Sequence, residues 1–407
     1  MREEWEIKVI GEVSKIINGG TPKTSVKEYW EGDINWITPK DLGKLKGVYV
    51  SETPRKISKL GLQKSSARLF KENSIILSTR APIGHLAINQ VPMSTNQGCR
   101  GIVPNSNLNV NYLFYFLKLN IKLLNDLGTG TTFKELSTKA LSSIKIPIPP
   151  LAEQKQIVAI LDQAFEAIDQ AKANIEKNIV NAKELFQSKL NAIFSHPSIG
   201  SGRLNEGWEE KTLEELGTLT SSKRIYKKEY VSEGIPFYRS KEIKELAHDK
   251  DISLELFITK ERYYEIKAQF GIPQEGDILL TAVGTIGEMY VVKKNEPDFY
   301  FKDGNIMWLK NFSTLNSYYL KYALLCFVEQ LKAMSHGSAY SALTIEKLKK
   351  YMISVPNLSK QESIVKNLDA VLKYHRELIK NYTMKLTALE ELKKSILEKA
   401  FSGELTN

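Results

Sequence analysis

The sequence Pro149-Pro150-Leu151-Ala152-Glu153-Gln154-Lys155-Gln156-Ile157-Val158-Ala159-Ile160-Leu161-Asp162 recurs 207 residues further along the chain as Pro356–Asp369. Seven of the fourteen paired positions are identical, whereas chance alone would give about one. The match continues at the same offset, since Leu190 corresponds to Leu397. The chain is therefore a tandem repeat, in which two diverged segments alternate with two similar ones.

The two similar segments predict long helices. Neither contains glycine or proline over residues 152–195 or 359–402, and apolar residues recur in them at spacings of four and three. A helix of about 43 residues is roughly 65 Å long. Such an apolar seam needs a partner, and the chain order allows the two helices to pair antiparallel. Four polar residues interrupt the apolar seam: Asn178, Lys189, His375 and Lys385. They either fix the register of the paired helices or lie where the seam frays or is covered by another protein.

The two diverged segments predict globular domains of mixed helix and strand. Ile75–Thr79 and Ile278–Thr281 are short β-prone runs between turn residues, while Val110–Leu124 and Leu315–Leu331 have helical apolar spacing. We predict four parts, at residues 1–150, 151–200, 201–358 and 359–407. The predicted fold class is α+β, with two globular α/β-type domains alternating with two long helices in an antiparallel, pseudo-twofold coiled coil. The aromatic residues predicted in the domain cores are Trp30, Trp36, Phe237 and Trp308.

Charge is distributed unevenly along the 407 residues. The first 150 carry 21 Lys and Arg against 12 Asp and Glu, a net charge of +9, whereas residues 201–358 carry 22 of each. A basic segment suits a polyanionic partner, although a solvated lysine-rich surface explains the same count. No apolar run approaches the roughly 18 residues of a membrane span, the N-terminus lacks an apolar signal core, and two cysteines cannot form a disulfide framework. We expect a cytoplasmic protein.

Sequence motifs for catalysis are missing. The sequence contains no Gly-x-x-x-x-Gly-Lys-Ser/Thr loop for ATP and no Asn/Asp-Pro-Pro-aromatic motif of an amino-methyltransferase. Its five histidines and two cysteines have no zinc-binding spacing. We therefore expect neither enzyme activity nor a bound cofactor or metal in this chain.

Three motifs carry a resemblance to a known family. They are Ser143–Ile157, which contains the Ile-Pro-Ile-Pro-Pro-Leu-Ala-Glu-Gln run, the preceding Gly130–Leu136, and Thr95–Cys99. In these motifs and in its arrangement, the chain resembles over essentially its whole length the specificity subunit of type I restriction–modification enzymes. The second copy departs from the pattern, because Asp303-Gly304 stands where the first has Gln97-Gly98.

The resemblance implies a division of labour between subunits. Each globular part is a target recognition domain that reads one half of a bipartite double-stranded DNA target, and the helices set the unspecified gap between the halves. Two methyltransferase (modification) subunits dock on the helices and methylate adenine, and an ATP-dependent restriction subunit joins for translocation and cleavage. The resemblance makes this chain a non-catalytic DNA-reading subunit; S-adenosylmethionine, ATP and Mg belong to its partners, and no membrane is involved.

The candidate DNA contacts are polar residues predicted in or beside loops. Arginine suits guanine, Asn and Gln suit adenine, and basic side chains also anchor phosphates. In the first module the candidates are Lys23, Lys40, Thr79, Arg80, Asn96, Gln97, Arg100 and Lys134. In the second module they are Arg224, Arg239, Lys241, Thr281, Lys302 and Tyr340. A lysine that is only solvated, or an amide that only completes a turn, is the alternative at each position.

Other functions fit the same repeat. A stand-alone regulator that dimerises through its coiled coil would bind DNA tightly without any partner. A non-DNA protein scaffold that holds two copies of another protein would have no salt-dependent affinity for DNA. An enzyme with unfamiliar chemistry would need a convergent acid/base or metal cluster, which the sequence does not indicate.

Overall fold

A computed structural model of the chain describes residues 4–80, 82–130, 134–194, 207–283, 286–334 and 343–406. These residues form two compact units. The first contains the chain up to Glu176 and again from Thr383 onward, and the second contains Lys177–Tyr382. Each unit therefore holds one globular domain, the beginning of one long helix and the end of the other.

The first domain has an α+β fold. Its strands are β1 (Glu6–Val9), β2 (Ser14–Asn18), β3 (Ile34–Ile37), β4 (Tyr49–Val50), β5 (Arg55–Ile57), β6 (Ile75–Thr79), β7 (Ile83–Asn89), β8 (Met93–Thr95), β9 (Cys99–Pro104) and β10 (Lys145–Ile148). Its helices are α1 (Ile10–Val13), α2 (Pro39–Leu42), α3 (Lys59–Gln63), α4 (Val110–Leu119), α5 (Ile121–Asp126) and α6 (Thr138–Ser142), followed by the long α7 (Leu151–Phe194). The strands form a sheet of order β2-β9-β6-β7-β4, a sheet of order β5-β3-β8, and the antiparallel pair β1-β10.

The second domain has the same kinds of element. Its strands are β11 (Glu209–Thr212), β12 (Thr218–Ser221), β13 (Ile235–Tyr238), β14 (Phe257–Ile258), β15 (Ile278–Thr281), β16 (Met289–Val291), β17 (Tyr300–Phe301), β18 (Ile306–Lys310) and β19 (Met352–Val355). Its helices are α8 (Leu213–Leu216), α9 (Ser240–Ala247), α10 (Lys260–Phe270), α11 (Ser317–Met334) and α12 (Ile345–Lys349), followed by the long α13 (Leu358–Ser402). The strands form sheets of order β12-β18-β15-β16 and β14-β13-β17, and the antiparallel pair β11-β19.

The two domains repeat one topology. The order β2-β9-β6-β7 corresponds to β12-β18-β15-β16, and β5-β3-β8 corresponds to β14-β13-β17. The predicted strands Ile75–Thr79 and Ile278–Thr281 are β6 and β15, which are buried along their whole length. The duplication that the sequence revealed in the helical segments therefore extends through both globular domains, which confirms the predicted fold class.

One predicted helix is wrong in its extent. Val110–Leu124 was expected to be continuous, but it contains α4 and α5, which meet at Asn120. The backbone of Asn120 leaves helical geometry at φ −95° and ψ 17°, and its side-chain amide donates to the Phe116 carbonyl at 2.8 Å. Asparagine competes in this way for backbone partners and so interrupts helices that an apolar pattern alone would extend.

The ends of the two long helices pair within the first unit. Lys393 of α13 donates to Asp169 of α7 at 2.8 Å, and Glu390 forms an ion pair with Lys172. Moving forward along α7 from Asp169 to Lys172 corresponds to moving backward along α13 from Lys393 to Glu390. These segments are therefore antiparallel, as predicted. Near the end of α13, the Phe401 ring packs against Tyr112 of α4 at a centroid distance of 4.9 Å.

His375, one of the polar residues predicted on the seam, lies inside the second unit. Its ring stacks on Phe186 of α7 with centroids 5.4 Å apart. Both ring nitrogens are buried and have no hydrogen-bond partner among the described residues. Burial lowers the pKa of His375, and the positive charges of Lys183 and Arg376 lower it further. The imidazole therefore packs here as a neutral, largely apolar ring.

A glutamine at one of the identical positions of the repeat connects each domain to the long helix that follows it. The fully buried Gln154 in the first turn of α7 accepts from the Asn109 backbone N–H at 2.8 Å. Its amide donates to the carbonyls of Pro149 at 2.8 Å and Asn107 at 3.0 Å. One side chain thus joins the start of α7, the end of the proline-rich strand and the start of α4.

The second copy reproduces this arrangement. Gln361, also fully buried, accepts from the Asn316 backbone N–H at 2.8 Å and donates to the carbonyls of Pro356 at 2.8 Å and Thr314 at 3.1 Å. A further contact is repeated, since the Tyr115 hydroxyl donates to Asp162 at 2.5 Å and the Tyr322 hydroxyl donates to Asp369 at 2.6 Å. Among the identities that reveal the repeat, Gln154 and Gln361 are thus buried polar residues, which tolerate little change because a lost partner leaves an unsatisfied group.

Candidate nucleic-acid interface

The loop after β2 is fixed against the segment after β8 in the first domain. Thr21 donates its hydroxyl to the Gln97 side-chain carbonyl. At Gly19 the backbones approach so closely that an added Cβ would lie 1.8 Å from the Asn96 carbonyl oxygen, so glycine is required there by space. Lys23 and Gln97 are exposed on these two segments, and the structure thus brings both candidates to one edge of the domain.

Asn96 links this edge to the start of α2. Its backbone N–H donates to the Ile37 carbonyl at 3.0 Å, and its side-chain oxygen accepts from the Gly98 N–H at 3.0 Å. Asn96 is half-buried, whereas Lys40 in α2 is fully on the surface. The Asn96 oxygen therefore completes a turn, and only its amide NH₂ can reach a ligand.

Arg100 and Arg80 share one carboxylate. Arg100 is 9% exposed and donates to the Gln97 carbonyl at 2.8 Å and the Thr138 hydroxyl at 3.3 Å, with Glu135 also at 3.3 Å. Arg80 is half-exposed, and its guanidinium lies 3.8 Å from Glu135. Arg100 therefore orders the 97–100 segment from inside, while Arg80 presents part of its guanidinium to solvent.

Thr79 and Thr281 lie at the ends of the equivalent strands β6 and β15 and are both fully buried. The Thr79 hydroxyl donates to the Gly98 carbonyl at 3.3 Å, and the Thr281 hydroxyl accepts from the Glu288 N–H at 3.0 Å. Neither has surface available to DNA in this conformation. Their contacts instead hold the loops that follow the sheet.

Arg224 occupies in the second domain the place that Thr21 occupies in the first. Its guanidinium donates to Asp303 at 2.7 Å, and Asp303 stands at the sequence position of Gln97. Arg224 is exposed and Lys302 is half-buried, so this contact again brings the loop after the first sheet strand to the segment after β17. Tyr340, the remaining candidate of this domain, lies outside the described residues.

Arg239 and Lys241 at the start of α9 are held in a network of carboxylates. Arg239 donates to Glu242 at 2.6 Å and to Glu255 at 2.8 Å, and Lys241 donates to Glu255 at 2.7 Å. The hydrogen bond to Glu242 is the main cause that raises the pKa of Arg239, and the hydrogen bonds from Lys241 and Arg239 lower the pKa of Glu255. All of these charges are therefore present and already neutralised in pairs.

The two domains differ in how their candidate cations are balanced. Among the residues that the structure describes, Lys23, Lys40 and Lys134 of the first domain and Lys302 of the second form no ion pair. Arg80 and Arg100 share Glu135, and Arg224, Arg239 and Lys241 are all paired. Most of the unpaired candidate cations therefore lie on the first domain, and most of those on the second must exchange internal ion pairs for contacts with a ligand.

Sequence reasoning missed three positioning residues at the first edge. Thr21, Glu135 and Thr138 connect the candidate loops, but none belongs to a residue type that reads DNA strongly. Glu135 lies within the quoted motif Gly130–Leu136, and its place in that motif was the available signal.

A fold that presents the same loop edge on two repeated domains, with several unpaired cations among the candidates, has the features of a nucleic-acid-binding protein. The family model for the type I restriction modification DNA specificity domain matches residues 2–180 and 205–388. The chain therefore belongs to the type I restriction–modification DNA specificity family, and the predicted resemblance is confirmed.

Curated and solved proteins agree with this assignment. The chain is 29% identical over 416 residues to the type I restriction enzyme MjaIX specificity subunit of Methanocaldococcus jannaschii, covering 99% of this chain and 94% of that protein. Its fold is similar to a chain from a structure of the type I R-M system (TM-score 0.79, 20% identity, 100% and 99% coverage). It is also similar to the HsdS subunit from Thermoanaerobacter tengcongensis (TM-score 0.64, 19% identity, 100% and 98% coverage).

Two features are absent from the described part of the chain. No helix there has an apolar stretch long enough to cross a membrane. The same part of the chain contains no group of three His, Cys, Asp or Glu side chains placed to hold a metal ion.

Proposed function

We propose that each domain reads one half of a bipartite DNA target and that α7 and α13 set the gap between the halves. The observation that carries this proposal is the repeated loop contact, Thr21–Gln97 in one domain and Arg224–Asp303 in the other. Equivalent loops meet at equivalent sheet ends although their residues differ, as expected of two readers with one architecture and different sequence preferences.

The candidate side chains divide into two roles under this proposal. Exposed, unpaired Lys23, Lys40 and Lys134 contact phosphates, which position the domain without reading sequence. Arg80 and Gln97 read base edges, since guanidinium and amide groups make two hydrogen bonds to guanine and adenine. In the second domain, Arg224, Arg239 and Lys241 can contact DNA only if their ion pairs open, a step that favours a target whose groups replace the lost carboxylate partners.

Catalysis belongs to partner subunits in this proposal. The long helices dock two methyltransferase subunits, which bind S-adenosylmethionine, and a restriction subunit supplies the ATP- and Mg-dependent steps. The family membership supports this division, and a stiff helical spacer suits a protein that must hold two readers at a set distance.

The proposal is tested by inserting one heptad into each long helix and sequencing the methylome made by the assembled methyltransferase complex. Seven residues add about 10 Å of helix, or about three base pairs at 3.4 Å each. We expect a longer gap with both half-sequences unchanged, and the unmodified complex is the control. New half-sequences at an unchanged gap would contradict the assignment of reading to the domains and of spacing to the helices. Tight specific binding by the chain alone would instead favour a stand-alone regulator.

A further inference from the structure

An arginine outside the predicted contacts is stacked against two tryptophans in the first domain. The Arg55 guanidinium carbon lies 4.6 Å from the Trp36 ring centroid and 5.8 Å from that of Trp30. The two indoles meet edge to face, with centroids 5.0 Å apart. Trp36 is buried, Trp30 is half-buried, and Arg55 is exposed. The planar cation is thus held in place by cation–π contacts, so little side-chain freedom remains to be lost when it binds.

The guanidinium of Arg55 is not used inside the domain. Among the described residues it makes no hydrogen bond or ion pair, unlike Arg80 and Arg100, which share Glu135. A planar guanidinium with its donors open is suited to a phosphate, which it can contact through two parallel hydrogen bonds.

The space beside Arg55 fits a nucleotide unit. A pocket of about 400 Å³ is lined by Thr24, Trp30, Pro54, Arg55 and Lys56. The lining combines two cations and a hydroxyl with the apolar faces of an indole and a proline, and it contains no carboxylate. The chemistry selects an anion attached to a sugar or a flat ring, which is the composition of a nucleic-acid strand.

The pocket is continuous with the candidate DNA edge. The Trp30 indole donates to the Lys23 carbonyl at 3.2 Å, and the Trp36 indole donates to the Gly20 carbonyl at 2.9 Å. The same two indoles therefore support Arg55 on one side and the backbone of the loop that carries Thr21 on the other.

We propose that Arg55 binds a phosphate of the DNA strand that flanks the half-site read by the first domain, with the adjoining nucleotide against Trp30. This inference rests on the proposed function, since it extends the same DNA surface. It assigns Arg55 to phosphate binding and not to base reading. The pocket offers the cations Arg55 and Lys56 and the apolar surfaces of Trp30 and Pro54, whereas a base edge requires a pattern of hydrogen-bond donors and acceptors.

The test uses the assembled complex with its methyltransferase subunits and duplexes with and without the target. We expect Arg55→Gln to weaken binding to both duplexes equally, by about 5- to 10-fold. The slope of log affinity against log salt should fall by about one, since one phosphate contact is lost. Methylated sequences should not change, and Arg55→Lys should keep the slope because it keeps the charge. Arg68→Gln is the matched control, because Arg68 is exposed in the same domain but donates to the carbonyls of Ser65 and Ala67.

Each other result has a defined meaning. Equal salt slopes for Arg55→Gln and Arg68→Gln, with wild-type complex binding DNA normally, would overturn the assignment of Arg55 and leave the proposed function intact. A changed methylation sequence would also overturn it, by making Arg55 a base reader. Binding of inorganic phosphate or dAMP to the wild-type complex without DNA, lost in Arg55→Gln, would assign the pocket to a small ligand instead. A wild-type complex without affinity for DNA would overturn both proposals.

Discussion

Replacement of Gln154 by leucine should loosen the attachment of the first domain to α7. All three partners of the Gln154 amide would lose their hydrogen bond. The exposed Asn107 carbonyl can bind water instead, whereas the Asn109 N–H and the buried Pro149 carbonyl would be left without a partner. Each of these two unsatisfied groups costs about 1–3 kcal/mol, and burial of the apolar leucine side chain offsets about 1–2 kcal/mol of the total. The net local destabilisation is about 2–3 kcal/mol when central values are combined.

Hydrogen exchange at the start of α4 measures this loss directly. The opening free energy of the Asn109–Tyr112 segment should fall, so protection should drop about 30- to 140-fold at 1.4 kcal/mol per factor of ten. Gln156→Leu is the matched control, since Gln156 is exposed two positions away and surface substitutions change stability by about 0.5 kcal/mol or less. Gln361→Leu should repeat the effect at Asn316. Equal protection in Gln154→Leu and Gln156→Leu would refute the role given to the buried amide.

Three further outcomes are expected. Arg80→Ala should weaken specific binding by about 1–3 kcal/mol in a titration of the assembled complex, and unchanged affinity would remove Arg80 from the interface. Lys40→Gln should lower the salt slope of binding by about one, whereas Lys241→Gln should lower it less, because its ammonium already has a carboxylate partner; equal slopes would contradict this. His375, whose folded pKa is lowered, binds its proton more weakly than in the unfolded chain, so stability should fall as pH drops below about 6.5. The fall in melting temperature between pH 7.5 and 5.5 should therefore be smaller in His375→Phe, and an equal fall in both proteins would show that the ring does not titrate as described.

The repeat and the regular elements were predictable because they leave local signals. Identity between Pro149–Asp162 and its copy reported the duplication, and the strands Ile75–Thr79 and Ile278–Thr281 stood out as β-prone runs. The break at Asn120 was not predicted, because apolar spacing continues across it. Antiparallel pairing of the long helices was predicted, but the packing of Phe401 against Tyr112 in the core of the first domain was not, since that contact joins residues far apart in the chain.

The candidate site was less predictable than the fold. Side-chain type suggested Thr79 and Thr281, but burial depends on the strand ends that only tertiary packing places. Charge counts indicated that the second domain is neutral, but they do not show which charges meet, and the pairing of Lys241 in α9 with Glu255 in the segment before β14 depends on the fold. Arg55 was not predicted because both of its tryptophans were assigned to the core, whereas only Trp36 is buried there and Trp30 is half-buried. Nothing in the local sequence shows that these indoles also support a surface cation.

The first unit is built from two separate stretches of the chain, and this affects the order in which the two units can fold during synthesis. Domains usually fold from the N-terminus as synthesis proceeds, but the core around Tyr112 includes Phe401 and Leu397 from the last turns of α13. The second unit is one uninterrupted stretch, Lys177–Tyr382. The domain translated first therefore needs the codons of Leu397 and Phe401 before its core is complete, while the domain translated second does not need them. A nonsense mutation between Tyr382 and Leu397 would consequently leave the earliest-made domain incomplete and spare the later one.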